Sequence, residues 1–297
     1  MDVGLAITAR NHPAYPRPLP TVYREVLDQA VLGEQLGFAS WWLAEHHFAE
    51  DQHNPSQFPL LTAAALRTST IRVGTYVLLL ALHNPIRVAE DAASVDILAG
   101  GRLDLAIGAG PMPGECAVFG IDPKERLGRT YEALEVLEKC FTGEPFSHEG
   151  RYFTFRDAHV TTTPVQPGGP PIYVAAMGPQ SLAKAGERGY SLASMGHTHQ
   201  PELYFDAQAA AGRTRADYRV VSGPLAVHVA PTRDQAWDEA EAGLHEWVAF
   251  YRRRGIPMPL PELGKLRDDP HAGIFGTPFA VGTPDEVMAV LSGYQEL

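Results

Sequence analysis

TVYREVLDQAVLGEQLGFASWWLAEHHF, residues 21–48, holds one complete unit of the pattern that decides the fold. Val22, Val26, Ala30 and Leu36 fall at helical spacing, Gly37 supplies a C-terminal stop, and residues 38–43 form a short apolar strand. Glu45, His46 and His47 then follow the strand's C-terminal end. Toward the N-terminus, residues 2–8 read as a first strand, and the loop after them carries Pro13, Pro16, Pro18 and Pro20, which exclude a helix there. Toward the C-terminus the alternation continues. Helices are predicted at 59–67, 87–98, 126–141, 179–188, 201–211 and 232–252, and strands at 71–79, 103–107, 172–176, 190–194 and 225–229. Residues 142–170 break the rhythm with Gly143, Pro145, Gly150 and the aromatic run Tyr152, Phe153 and Phe155, and read as an insertion.

Seven strands in βα order imply a parallel sheet covered by helices, because parallel neighbours need right-handed crossovers. An open doubly wound sheet would carry a GxGxxG turn after its first strand, whereas the segment after Thr8 is proline-rich. The alternative is a (β/α)8 TIM barrel, whose active site gathers at the C-terminal ends of the strands. Glu45, His46 and His47 follow strand 2, and His83 and Asn84 follow strand 3. Residues 108–110 follow strand 4, Gly178 and Ser181 strand 5, and His197 and His199 strand 6. That clustering selects the barrel, and the motif order makes the 297 residues a single barrel domain.

Composition narrows the functions. With 45% hydrophobic residues the chain can bury a substantial core, so disorder is excluded. Lys plus Arg total 24 against 35 Asp plus Glu, a net charge of −11, and no basic run offers a surface to nucleic acid. The most apolar stretch, residues 76–82, is far shorter than the ~20 residues of a membrane span. The start lacks a signal-peptide layout, so a cytoplasmic protein is expected. Cys116 and Cys140 have no CxxC spacing and read as reduced, structural thiols.

Two adjacent histidines beside a carboxylate can donate and accept protons near neutral pH, with Glu45 orienting one ring; local hydrogen bonding in a loop is the alternative. Neighbours on a strand point to opposite faces, so His46 and His47 cannot share an ion, and His197 and His199 lack a third ligand. No metal is expected. Gly108, Ala109 and Gly110 let a flat ring or a phosphate approach the backbone, although a GxG turn alone is common. Met177, Gly178 and Ser181 lie between a strand and a helix, where free amides favour an anion or mark an ordinary helix start. A phosphate site after strand 5 would come earlier than the usual strands 7 and 8. Asp96 and Arg102 are expected to pair around the Gly100-Gly101 turn.

Four segments together resemble the bacterial luciferase-like flavin-dependent monooxygenase family: LAEHHF (43–48), LHNPIRVAEDAASVDILAGGRLDLAIGAGP (82–111), ECAVFGID (115–122) and PPIYVAAMGPQSLAKAGERGYSLAS (170–194). The resemblance spans about residues 2–290. It implies a barrel that binds reduced FMN or a deazaflavin, usually as a homodimer. His46 matches the catalytic histidine, which assists peroxyflavin chemistry. Tyr76 and Val77 match a non-prolyl cis peptide beneath the flavin. Gly108, Ala109 and Gly110 match flavin-lining positions, Met177, Gly178 and Ser181 match the phosphate cradle, Arg126 is a phosphate partner, and Ser194 lies near the isoalloxazine. Glu45, His47 and His197 are read as substrate residues.

The luciferases proper carry Arg where this chain has Ala109 and Glu-Ser where it has Met177-Gly178, which argues against light emission. The implied activity is therefore oxidation of a small, largely apolar organic substrate with dioxygen and reduced FMN from a separate reductase. Deazaflavin-dependent hydride transfer and a catalytically silent flavin-binding or partner subunit are the rivals. The family continues past the Thr283-Pro284 helix start into an eighth strand and final helix, whereas this chain stops at Leu297. A barrel open between strands 7 and 1 and a poorly packed last helix are expected; an eighth barrel strand from within 255–281 would contradict that reading.

Overall fold

The computed structural model describes residues 2–13, 15–110, 112–176, 178–195, 201–214, 219–223, 226–268, 273–274 and 277–293; Met177, His197 and His199 lie outside them. The chain begins β1 (Gly4–Ile7), α1 (Leu19–Gln35), β2 (Ser40–Leu43), α2 (Gln57–Arg67), β3 (Arg72–Leu79), α3 (Pro85–Ala99), β4 (Leu103–Gly108). Next come α4 (Pro113–Val118), α5 (Arg126–Phe141) and the strands β5 (Phe146–Glu149) and β6 (Thr154–Ala158). The alternation resumes with β7 (Ile172–Ala175), α6 (Pro179–Arg188), β8 (Ser191–Met195), α7 (Pro201–Ala210) and β9 (Val220–Gly223). The last elements are β10 (Val227–Val229), α8 (Arg233–Arg253), β11 (Gly273–Ile274), β12 (Thr277–Pro278), β13 (Ala280–Gly282) and α9 (Pro284–Gly293). No helix among the described residues is long and apolar enough to cross a membrane.

Seven strands pair in parallel in the order β1-β2-β3-β4-β7-β8-β9, a partial TIM barrel. Successive side chains of a strand alternate between the helix layer and the interior. Trp41, Leu43, Leu105 and Ile107 pack outward under the helices. Trp42, Tyr76, Ala106, Tyr173 and Ala193 fill the interior. Trp42 meets Tyr76 and Tyr173 edge-on at ring-centroid distances of 6.0 and 5.8 Å. Gly74 makes room for that indole, since a Cβ there would lie 2.5 Å from Trp42 Cε3. Helix ends follow local chemistry: the Asn84 side chain accepts from the Ile86 and Arg87 N–H groups, and Gly100 closes α3 at φ +62°.

Two sequence expectations change. The seventh barrel strand is β9, not 225–229. Both stretches are apolar, but Val220 pairs with Leu192 of β8, whereas Val227 pairs with Ala280 in a separate two-stranded parallel sheet. Residues 280–282 thus form a strand, but on β10, and no eighth strand joins the barrel sheet among the described residues. Asp96 and Arg102 do not pair. Asp96 accepts from Leu103 N–H and from the Gln166 backbone and side-chain amides. Arg102 donates to the carbonyls of Ala65, Thr68, Ile71 and Ala99.

Residues 146–158 form an antiparallel hairpin outside the barrel sheet. Helix α8 packs Trp237, Val248, Phe250 and Tyr251 in a second apolar cluster with Met112 and Val281. Helix α9 buries Val287 and leaves Met288 and Val290 exposed.

Candidate active site

His46 emerges just past the C-terminal end of β2. The exit is pinned at each step: Ala44 N–H donates to the Ile7 carbonyl, His46 N–H to the Asn54 carbonyl, and the Gln57 side-chain amide to the Leu43 carbonyl. The His46 ring is buried, with Nδ1 3.4 Å from Glu115 Oε1 and Nε2 3.4 Å from the Tyr251 hydroxyl. Glu115 Oε1 also accepts from the His47 N–H at 2.9 Å and from Arg254 at 2.8 Å. Burial raises the Glu115 pKa, but the hydrogen bond and charge of His46, the His47 N–H and the Arg254 charge outweigh it, so the carboxyl stays ionised below its usual range. An ionised acceptor at Nδ1 keeps a proton on that nitrogen, so Nε2 is the lone-pair nitrogen that faces the Tyr251 hydroxyl. Burial pushes the Tyr251 phenol up to about 12, so at neutral pH it is a neutral hydroxyl.

A second imidazole stands beside the first. His53 meets His46 edge-on at 4.7 Å, and neither of its ring nitrogens has a hydrogen-bond partner. Burial, then the nearby His46, Arg10 and Arg254, hold its pKa well below the ordinary value, so His53 is neutral.

Glu45 and His47, expected at the substrate, turn away from His46, as alternation along an extended chain requires. Glu45 Oε1 accepts from His47 Nε2 and His83 Nε2, both at 2.8 Å, and Oε2 accepts from the Leu79 N–H at 3.0 Å. Burial raises the Glu45 pKa, yet the His47, His83 and Leu79 hydrogen bonds hold it below its usual range. Burial lowers that of His83, but its bond to Glu45 and the charges of Glu45 and Asp91 bring it above the ordinary value.

The expected cofactor residues fall into separate places. The Tyr76–Val77 peptide is cis, and the Tyr76 hydroxyl donates to the Ser194 carbonyl at 2.6 Å, joining β3 to β8 across the interior. Val77 is half-buried, and a Cβ on Gly108 would lie 2.6 Å from Val77 Cγ2. Ala109 is half-buried, and Gly110 turns the chain at φ +75°. Gly178 starts α6, where its N–H donates to Ser181 Oγ and the same hydroxyl donates back to the Gly178 carbonyl. Arg126, at the start of α5, donates to the Pro123 carbonyl. Met177 and His197 lie outside the described residues.

Sequence reading missed Glu115, Tyr251, His53 and Arg254 as site residues. Glu115 stands in a segment quoted for the family resemblance, so its position was in view and its role was not. Tyr251 and Arg254, at the end of a long helix, carry no local signal.

A family model described as luciferase-like monooxygenase matches residues 1–297. The 4-hydroxyprotoasukamycin monooxygenase of Streptomyces nodosus subsp. asukaensis is 35% identical over 254 residues, 80% of this chain and 67% of that one. An F420-dependent glucose-6-phosphate dehydrogenase of Microbacterium testaceum is 28% identical over 291 residues, 92% of this chain and 84% of its own. Among solved structures, the oxygenating constituent of 3,6-diketocamphane monooxygenase from Pseudomonas putida, in complex with FMN, aligns with a TM-score of 0.81 at 25% identity, covering 100% of this chain and 88% of that one.

Proposed function

The chain belongs to the luciferase-like monooxygenase family, and from that membership we propose that it is a flavin-dependent monooxygenase using reduced FMN and dioxygen to oxidise a small, largely apolar organic substrate. The observation that carries the reading is His46, a buried imidazole fixed at Nδ1 by an ionised carboxylate and paired at Nε2 with the Tyr251 hydroxyl, an arrangement suited to passing a proton. The reading also takes the homodimer and the separate flavin reductase that go with the resemblance, and the cytoplasmic location expected from the sequence.

The residues present fit a flavin. Gly108 lies against the half-buried Val77 and Gly110 against Leu79, and the missing side chains leave backbone that a flat ring can approach. The first-turn amides of α6 suit a phosphate, and the Ser181 hydroxyl, bonded to both the N–H and the carbonyl of Gly178, fixes the turn that presents them. Bound reduced flavin supplies the electrons and activates the oxygen. His46 Nε2 handles the proton at the substrate. Glu115 holds the tautomer, and Phe250 and Tyr251, packed against the ring at 5.5 and 5.8 Å, keep water from it.

The test is oxygen uptake with reduced FMN and a panel of small cyclic ketones and alkenes, followed by mass analysis of product formed under isotopically labelled oxygen gas. Label in the product supports the reading. The F420-dependent relative favours a second one, hydride transfer to or from a deazaflavin. Turnover under strict anaerobiosis with the deazaflavin, and none with reduced FMN and oxygen, would replace the first reading by the second.

A further inference from the structure

Glu45, His47 and His83 bring a carboxylate oxygen and two imidazole nitrogens within 4.8 Å of one another. The proposed reaction uses none of them. We propose that Glu45 Oε1, His47 Nε2 and His83 Nε2 bind one divalent transition-metal cation of the zinc type, leaving a fourth position for water.

The donor set is two imidazoles and one carboxylate, which suits zinc and leaves one tetrahedral position open. Without a cation, both Nε2 atoms lie 2.8 Å from Glu45 Oε1 as hydrogen-bond donors. Zinc takes such ligands at roughly 2.0–2.2 Å, so tetrahedral donors stand somewhat farther apart than these. The opening needed is roughly half an ångström or a little more at each imidazole, and His83, whose side chain is 31% exposed, has room to move. To take the cation each imidazole gives up its Nε2–H, either by moving that proton to an unprotonated Nδ1 or by releasing it to solvent. The other carboxylate oxygen, bound to the Leu79 N–H, holds Glu45 in place.

A second observation points to a ligand at the same spot. A cavity of about 170 Å³ opens beside the cluster, lined by Glu45, His83, Gln57, Arg87 and Asp91 among others. Gln57 is 1% exposed, and its Oε1 is buried with no hydrogen-bond partner. A buried amide oxygen facing no donor is costly, and a metal-bound water is a donor. Arg87, the cation on the cavity wall, is neutralised by Asp91 at 2.6 Å and Glu90 at 3.5 Å, so it does not repel an entering ion. A bound cation would tie the β2 exit to the turn before α3, on either side of His46. Its role is a clamp on the segment that presents His46, not a step in the reaction.

Untagged, chelator-treated full-length protein is titrated with zinc chloride by calorimetry, with thermal melts in parallel and cobalt chloride as a visible-absorption probe. Expected are one zinc per chain, a melting temperature that climbs with free zinc, and cobalt d–d bands. Glu45→Gln and His83→Ala should each weaken zinc binding by more than the ~10–100-fold that loss of an outer partner costs. If Glu45→Gln fails to fold, His83→Ala, at the cavity rim, decides the matter. Absence of saturable zinc binding, or equal affinity in the His83→Ala protein, would overturn the site. None of these readings depends on which flavin the enzyme uses or on whether it turns over.

Discussion

Glu115 Oε1 lies 3.4 Å from His46 Nδ1 on a carboxylate that also takes the His47 N–H and Arg254, so one buried oxygen sets the position of the candidate proton carrier. His46→Ala should lower substrate-dependent oxidation by about 10²–10⁴-fold while leaving FMN affinity nearly unchanged, as measured by steady-state turnover and flavin fluorescence quenching. Glu115→Gln keeps the shape and removes the charge. Its expected loss is smaller, on the order of tenfold in kcat with little change in KM, together with loss of any acid-side fall in rate that Glu115 protonation causes. Unchanged turnover in the His46→Ala protein would remove His46 from the mechanism.

Arg254 tests the same carboxylate from the other side. Its guanidinium donates to Glu115 Oε1 at 2.8 Å, to the His47 carbonyl at 2.7 Å and to the Phe48 carbonyl at 3.3 Å. Arg254→Met leaves a buried carboxylate with less compensation. The side chain is 19% exposed, so water replaces part of the loss, and destabilisation of about 2 kcal/mol is expected from urea unfolding. Adding Glu115→Gln should recover some of it, because the uncompensated charge is then gone. Additive losses in the double variant would mean that the two side chains do not act on each other.

The barrel was legible because its signals are local. Val22, Val26 and Ala30 recur on one face of α1 and are buried there, Gly37 adopts the left-handed conformation where a stop was read, and Gly100 does so where a turn was read. Alternation also foretold that His46 and His47 would part, and each found its own carboxylate. What stayed hidden was set by distance along the chain. Asp96 is satisfied by Gln166, 70 residues away, rather than by the neighbouring Arg102. Arg254 reaches Glu115 across 139 residues and Glu115 reaches His46 across 69, and no periodicity encodes such pairs. The seventh strand went astray for a related reason: residues 220–223 and 227–229 each carry two valines, and what separates them is the partner, Leu192 for one and Ala280 for the other.

Two glycines on neighbouring strands should respond differently to one added methyl. At Gly74 a Cβ meets Trp42 Cε3 and Cζ3 at 2.5 and 2.6 Å, inside packing that cannot open, so Gly74→Ala should destabilise by about 1–3 kcal/mol. At Gly108 the Cβ meets Val77 Cγ2 at 2.6 Å, the end of a half-buried side chain that can turn toward the flavin floor. Gly108→Ala should therefore cost less stability and more flavin: an FMN dissociation constant raised roughly tenfold, about 1.4 kcal/mol. Equal effects on melting and on flavin affinity in both variants would show that Gly108 does not face the cofactor.

The last prediction concerns acid stability and lies far from the site. Glu34, near the end of α1, accepts from the backbone N–H groups of Ser69, Thr70 and Ile71 and from the Thr70 hydroxyl, clasping the turn between α2 and β3. Burial raises its pKa, but those hydrogen bonds together outweigh it and lower the pKa to about 2 from an ordinary 4.5. The folded state thus binds this proton less readily than the unfolded state, so the clasp contributes fully above pH 4.5. Its contribution fades as pH falls toward 2, where both states carry the proton. Glu34→Gln keeps an acceptor oxygen but no charge. Urea unfolding should find it less stable than the wild type at neutral pH, with the gap closing on acidification through that window. A gap of constant size across it would mean that the clasp works through shape alone.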